Sequence, residues 1–145
     1  MIVLPYKWPG RFKLYMIETE LNINVLVVDD NLINRILLSK VLAKWGATSD
    51  FAENGVQAVD KISNNRNYDV VLMDIHMPEM GGFEATQAIR NNPDQYFQQL
   101  PIIALTASIL SSEIGEVDTS GMNDYLLKPF DPKVLFEKLS RYQKV

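Results

Sequence analysis

The chain has 145 residues, 47% hydrophobic and 22% charged, which fits one soluble globular domain with enough length to bury a core. It has no cysteine and a single histidine, His76, so disulfides, thiolate chemistry and Cys-based zinc sites are excluded, and a Ser-His-Asp triad is disfavoured. A net charge of −4 argues against nucleic acid as a partner, and no apolar run suits a membrane helix or a secretion signal, so a cytoplasmic chain without membrane contact is expected.

Residues 1–22 carry Pro5, Pro9 and Gly10 among Tyr6, Trp8, Phe12 and Tyr15. No period of 2 or 3.6 persists there, and they read as an extension or linker, with residues 23–145 as the domain. Residues 23–28 (INVLVV) form a continuous, largely β-branched run, suited to a strand buried on both faces, and end in Asp29-Asp30. Asn31 caps a helix whose apolar positions Ile33, Ile36, Leu37, Val41 and Leu42 recur at helical spacing; Gly46 stops it. Residues 47–52 are a short second strand. Residues 55–64 are a helix with Val56, Val59 and Ile62 inward. Residues 70–73 are a third buried strand, again ending in an acid, Asp74.

Pro78 and Gly81-Gly82 form a loop, and residues 83–90 a short helix. Residues 91–100 are a polar connection containing Pro93. Residues 101–105 (PIIAL) are a fourth strand, ending at Thr106. Residues 109–119 are a weak helix, because Gly115 and several Ser and Thr are poor helix formers; fraying or easy displacement is expected there. Residues 125–127 are a fifth strand running into Lys128-Pro129, and residues 132–142 a closing helix with Val134, Leu135 and Leu139 on one face.

Five β-α units in succession imply a parallel sheet with helices on both faces. The expected architecture is α/β, a flavodoxin-like doubly wound (βα)5 fold with strand order 2-1-3-4-5. Ligands of such sheets bind at the carboxyl ends of the strands. Here those ends carry Asp29-Asp30, Asp74, Thr106 and Lys128. Alone, Asp29-Asp30 also suits the start of a helix, and Thr106 also suits a cap. Together, three carboxylates repel unless a cation joins them, and few carboxylates with open positions is the Mg²⁺ pattern. A carboxylate can itself be a nucleophile and form an aspartyl-phosphate. Lys128 and Thr106 then suit the phosphoryl oxygens.

The segments VVDDN, MDIHMPEMGG, PIIALTA and GMNDYLLKPF resemble the response-regulator receiver family of two-component signalling, in the form found in hybrid histidine kinases. The likeness runs from about Asn24 to Tyr142. It implies Asp74 as phosphoacceptor, Asp29 and Asp30 as the acid pair, and the backbone carbonyl of His76 as a further metal contact. It also implies Thr106 and Tyr125 as switch residues and Lys128 as the lysine that meets the phosphoryl group, with a cis Lys128-Pro129 bond. By itself Tyr125 also reads as a core tyrosine, and the His76 side chain is expected to face solvent. The cofactor implied is Mg²⁺, and the partner a histidine kinase or histidine phosphotransfer protein. The family's output face is the one made by its fourth helix, fifth strand and fifth helix. Gly81 stands where the family often has Asp, which loosens the loop and removes no ligand. DDNLINR leans toward the hybrid-kinase type, so the chain reads as a stand-alone regulator or as a receiver from a larger kinase.

Two other functions fit parts of the pattern. A Mg²⁺-dependent phosphatase using an aspartyl-phosphate resembles haloacid-dehalogenase-like enzymes, but these place their two acids two residues apart, whereas Asp29 and Asp30 are adjacent. A pseudo-receiver that only docks would lack the acceptor or the lysine, and both are present.

Overall fold

The computed structural model describes the backbone of residues 2–8, 11–17, 20–107 and 111–144, and the side chains from Glu20 onward except that of Ser111. Strands β1 (Ile2–Trp8) and β2 (Arg11–Ile17) pair antiparallel with each other. Then follow β3 (Asn24–Val28), α1 (Leu32–Lys44), β4 (Thr48–Ala52), α2 (Gly55–Asn64), β5 (Val70–Asp74), α3 (Gly82–Arg90) and α4 (Gln95–Gln99). The chain closes with β6 (Ile102–Thr106), α5 (Ser111–Ser120), β7 (Asp124–Leu127) and α6 (Pro132–Ser140). β3 to β7 form one parallel sheet in the order β4-β3-β5-β6-β7. Counted from β3, this is 2-1-3-4-5.

The central strands are buried on both faces, so they read as unbroken apolar runs. Successive side chains still alternate between two cores. Leu26, Val28, Val71, Met73, Ile102 and Ala104 meet Ala58, Ile62, Ala85 and Ile89 from α2 and α3. Val25, Val27, Leu72, Ile103 and Leu105 meet Leu38, Leu42, Leu135 and Leu139 from α1 and α6. Each Val, Leu, Ile or Met among these contributes about 1.5–3 kcal/mol by leaving water.

The helix faces differ from expectation in part: Leu42, Ile62, Leu135 and Leu139 are buried as expected, but other positions are not. On α1 the inward stripe is Arg35, Leu38 and Leu42, while Ile33, Ile36 and Leu37 are 66%, 44% and 51% exposed. Both stripes have helical spacing, so the period marks the helix without choosing its buried side. On α2, Ala58 and Ile62 point inward and Val56 is exposed; on α6, Leu135 and Leu139 are buried and Val134 is exposed.

The connection at 91–100 contains a helix. Asp94 caps α4 by accepting from the Tyr96 N–H, and Phe97 and Leu100 are buried. Arg90 pins this segment, donating to the Phe97 and Leu100 carbonyls at 2.7 and 2.8 Å and to the Gly121 carbonyl at 3.0 Å.

Residues 2–8 and 11–17, where no element was expected, form the antiparallel pair β1–β2; Pro9 and Gly10 lie outside the described residues. Core packing reaches Leu21, which is buried and donates its N–H to Trp45 O at 2.6 Å. Residues 109–110, the expected start of the weak helix, also lie outside the described residues. Among the described residues no helix is long and apolar enough to cross a membrane.

Candidate functional site

Val28 is level with Met73 in the sheet, so Asp29 leaves β3 beside Asp74, the last residue of β5. Asp74 is level with Leu105, and Thr106 with Leu127, which brings Thr106 and Lys128 to the same carboxyl edge. The Lys128 N–H donates to Thr106 O at 2.7 Å, and the Lys128-Pro129 peptide is cis.

Asp29 is fully buried. Its N–H donates to Ala52 O at 3.1 Å. Its Oδ1 accepts from the Asn31 N–H at 2.9 Å, and its Oδ2 from Lys128 Nζ at 2.8 Å and Asn34 Nδ2 at 3.2 Å. Lys128 Nζ also stands 3.2 Å from Asp74 Oδ2. Asp30 is exposed. One carboxylate oxygen from each of Asp29, Asp30 and Asp74 lies within 4.8 Å of the others.

Gly82 shapes the floor. A Cβ there would lie 2.3 Å from the Asp74 carbonyl oxygen, so only glycine lets the start of α3 approach the end of β5 this closely.

Burial pushes the Asp74 carboxyl above its ordinary value; Lys128 opposes this, and the Asp29 and Asp30 charges add to it. Burial pulls the Lys128 ammonium down, yet its bond to Asp29 and the charges of Asp74 and Asp29 outweigh that, and its pKa rises. The lysine is therefore a fixed positive charge. Three carboxylates against one ammonium leave an excess of negative charge. That donor set fits a hard divalent cation with oxygen ligands.

Tyr125 and the His76 side chain lie outside this cluster; for His76 the expected contact is the backbone carbonyl, with the side chain in solvent. The His76 side chain is 76% exposed, and its Nε2 lies 2.8 Å from Glu113 Oε1 on α5. Tyr125 is half-buried on β7, level with Ala104, with Lys138 Nζ 5.7 Å from its ring centroid. Thr106 is buried at the end of β6.

Sequence reasoning used Asn31 only as a cap and passed over Asn34 and Arg35. All three bond to Asp29, Arg35 through Nη1 to the Asp29 carbonyl at 2.7 Å. The available signal was their spacing, which returns the first turn of α1 to the residues just before it.

The family model for the response regulator receiver domain matches residues 25–140. Hybrid signal transduction histidine kinase I of Dictyostelium discoideum is 39% identical over 120 residues, which cover 80% of this chain and 7% of that protein. The chain spans less than a fifth of the length of the curated histidine kinases it matches. Among solved structures, the receiver domain of the sensor histidine kinase PA1611 of Pseudomonas aeruginosa, with a magnesium ion coordinated in its active-site cleft, is 36% identical. It superposes with a TM-score of 0.75 over 83% of this chain and 97% of that one. The receiver domain of a Saccharomyces cerevisiae response regulator, crystallised with its histidine phosphotransfer protein, is 32% identical, with a TM-score of 0.77 over 86% and 90% of the two chains. The strand order, the acid cluster at the carboxyl edge and these likenesses agree, and the chain belongs to the response regulator receiver domains of two-component signalling.

Proposed function

We propose that this domain accepts a phosphoryl group on Asp74 from a phosphohistidine of a histidine kinase or histidine phosphotransfer protein. In this reading Asp29, Asp30, Asp74 and the His76 backbone carbonyl hold Mg²⁺. The carrying observation is that Lys128 Nζ lies within 3.2 Å of Asp74 Oδ2 while bonded to Asp29. An Asp74 oxygen attacks phosphorus, the P–N bond breaks, and its electron pair returns to the imidazole of the donor. Mg²⁺ supplies positive charge against the phosphoryl oxygens and the acid cluster. Lys128 takes one phosphoryl oxygen, and Thr106 offers its hydroxyl to another. Movement of Thr106 draws Tyr125 inward and alters the face made by α5, β7 and α6.

The magnesium ion of the Pseudomonas receiver supports the cofactor, and the yeast complex supports a phosphotransfer protein as donor. The exposed apolar stripe Leu32, Ile33, Ile36 and Leu37 runs along α1 from just beyond Asp30, which suits a protein donor with an apolar surface. The domain, residues 23–145 with Leu21 of the preceding 1–22 segment packed into its core, acts in the cytoplasm as a phosphoacceptor that assists its own transfer and slow hydrolysis.

The test is acetyl phosphate with Mg²⁺ followed by intact mass. Wild type gains one phosphoryl group and Asp74→Asn gains none. A label that survives the substitution overturns the assignment of Asp74. Sustained turnover of a phosphomonoester overturns the signalling reading in favour of a phosphatase.

A further inference from the structure

Asn31, Asn34 and Arg35 take no part in the proposed chemistry, yet all three converge on Asp29. Asn31 N–H bonds Oδ1 at 2.9 Å, Asn34 Nδ2 bonds Oδ2 at 3.2 Å, and Arg35 Nη1 bonds the carbonyl at 2.7 Å. Arg35 is itself buried, and its other arm reaches Glu53 at 3.5 Å. Asp30 has no such cradle: its side chain is exposed and accepts no hydrogen bond among the described residues.

The local geometry explains why an amide serves here. Asn31 is the N-cap of α1, and its side chain accepts from the Ile33 and Asn34 N–H groups. In a capping box the third helical residue is an acceptor that takes the N-cap N–H. Here Asp29 takes that N–H, so the side chain at position 34 faces a carboxylate and must donate. Asn34 does so; a Glu would repel.

Asp29 Oδ2 otherwise depends on Lys128, which also lies within reach of Asp74. A lysine shared between two acids cannot by itself fix either one. If Lys128 follows a phosphoryl oxygen on Asp74, Oδ2 of the fully buried Asp29 carboxylate loses its charged donor. Asn34 belongs to a helix and does not leave.

We infer that Asn34 is a positioning residue of the cation site, resting on the function proposed above: its amide holds the Asp29 carboxylate in one rotation while Lys128 moves between Asp29 and Asp74. Asp29 is then the preset member of the acid pair and Asp30 the adjustable one.

The experiment is calorimetric titration of the whole chain with Mg²⁺, alongside the metal-free thermal midpoint. Asn34→Ala and Asn34→Leu both lack the donor. Each should raise the Mg²⁺ Kd roughly ten-fold, the lower end of what loss of such a supporting bond costs a metal site. Asn34→Gln, which keeps the amide, should recover most of the affinity. A purely structural role would lower the thermal midpoint of both variants and leave Kd within about twofold of wild type, and that result overturns the assignment. In wild type, the Asn34 side-chain amide resonances should shift on Mg²⁺ addition; unmoved resonances overturn it without any variant. Wild type that binds no Mg²⁺ overturns the function proposed above together with this inference, whereas normal wild-type binding with unchanged variants overturns this one alone.

Discussion

Lys128 is closer to Asp29 than to Asp74: its Nζ donates to Asp29 Oδ2 at 2.8 Å and stands 3.2 Å from Asp74 Oδ2. The ammonium thus rests mainly on Asp29, and it is the one cation paired with the carboxylates of Asp29 and Asp74 among the described residues. Lys128→Met leaves Asp29 buried with only the neutral Asn31 and Asn34 donors. The cost without metal should be about 1–3 kcal/mol at neutral pH, the penalty of a buried group that loses its charged partner. Mg²⁺ should recover part of it by restoring positive charge. Urea unfolding with and without Mg²⁺ reads both effects, and a variant as stable as wild type without metal would refute the role given to Lys128.

Asp74→Asn should stabilise the metal-free domain. Burial, reinforced by Asp29 and Asp30, raises the Asp74 pKa in spite of Lys128. A carboxyl raised on folding contributes stability below its unfolded value, and loses that contribution as pH rises through the folded one. As pH rises above the ordinary carboxylate range Asp74 therefore works against the fold, and asparagine removes that burden. The gap should close as pH falls toward the ordinary carboxylate range. Saturating Mg²⁺ should reverse the order, since a ligand at a hundred times its Kd adds about 2.7 kcal/mol to wild type and less to a variant lacking one carboxylate. Thermal midpoints at two pH values, with and without Mg²⁺, decide it.

The strand ends were legible and the helix faces only in part, for a physical reason. A central parallel strand is apolar throughout, so the first acid after it marks both the end of the strand and the edge where ligands bind. Asp29 and Asp74 could be placed from local pattern alone. α1 carries one apolar stripe through Leu38 and Leu42 and another through Ile33, Ile36 and Leu37, and Arg35 occupies an inward position. Periodicity locates the helix; only the neighbouring sheet decides which stripe is covered. α4 was hidden because five residues are too few to show a period, although Asp94 advertised its cap. Asn34 was hidden because its partner is identified by direction in space as well as by spacing.

α5 carries the clearest local conflict between sequence and element. Gly115 lies inside the helix, and a Cβ added there would meet nothing within 4 Å. Gly115→Ala should therefore act through the backbone alone. The expected gain is about 0.5–1 kcal/mol, with slower amide hydrogen exchange across 112–119. If the fraying expected of this helix serves the switch, the same substitution should also slow acquisition of the phosphorylated conformation. Unchanged exchange in α5 would show that Gly115 is not what weakens it.

Tyr68 and Asp50 give a pH dependence separate from the site. The Tyr68 hydroxyl donates to Asp50 Oδ2 at 2.6 Å, and its pKa is pushed up to about 12, first by burial and then by that bond. Burial would raise the Asp50 carboxyl, but bonds from Tyr68, Lys61 and the Phe51 N–H outweigh it and hold it below its ordinary value. A tyrosine raised on folding contributes stability below its unfolded pKa near 10 and loses it as pH climbs toward about 12, because the unfolded chain ionises first. Asp50 contributes the opposite way: its share is present above the ordinary carboxylate value and lost as pH falls through the lowered one. Tyr68→Phe should cost about 0.5–1.5 kcal/mol at pH 7 through the lost hydrogen bond. Between about pH 10 and 12 its deficit against wild type should shrink, since phenylalanine has no proton to lose. Tyr96, also pushed up to about 12 by burial, remains in both proteins and cancels from the comparison. A deficit that stays constant across that window in urea unfolding would refute the Tyr68–Asp50 linkage.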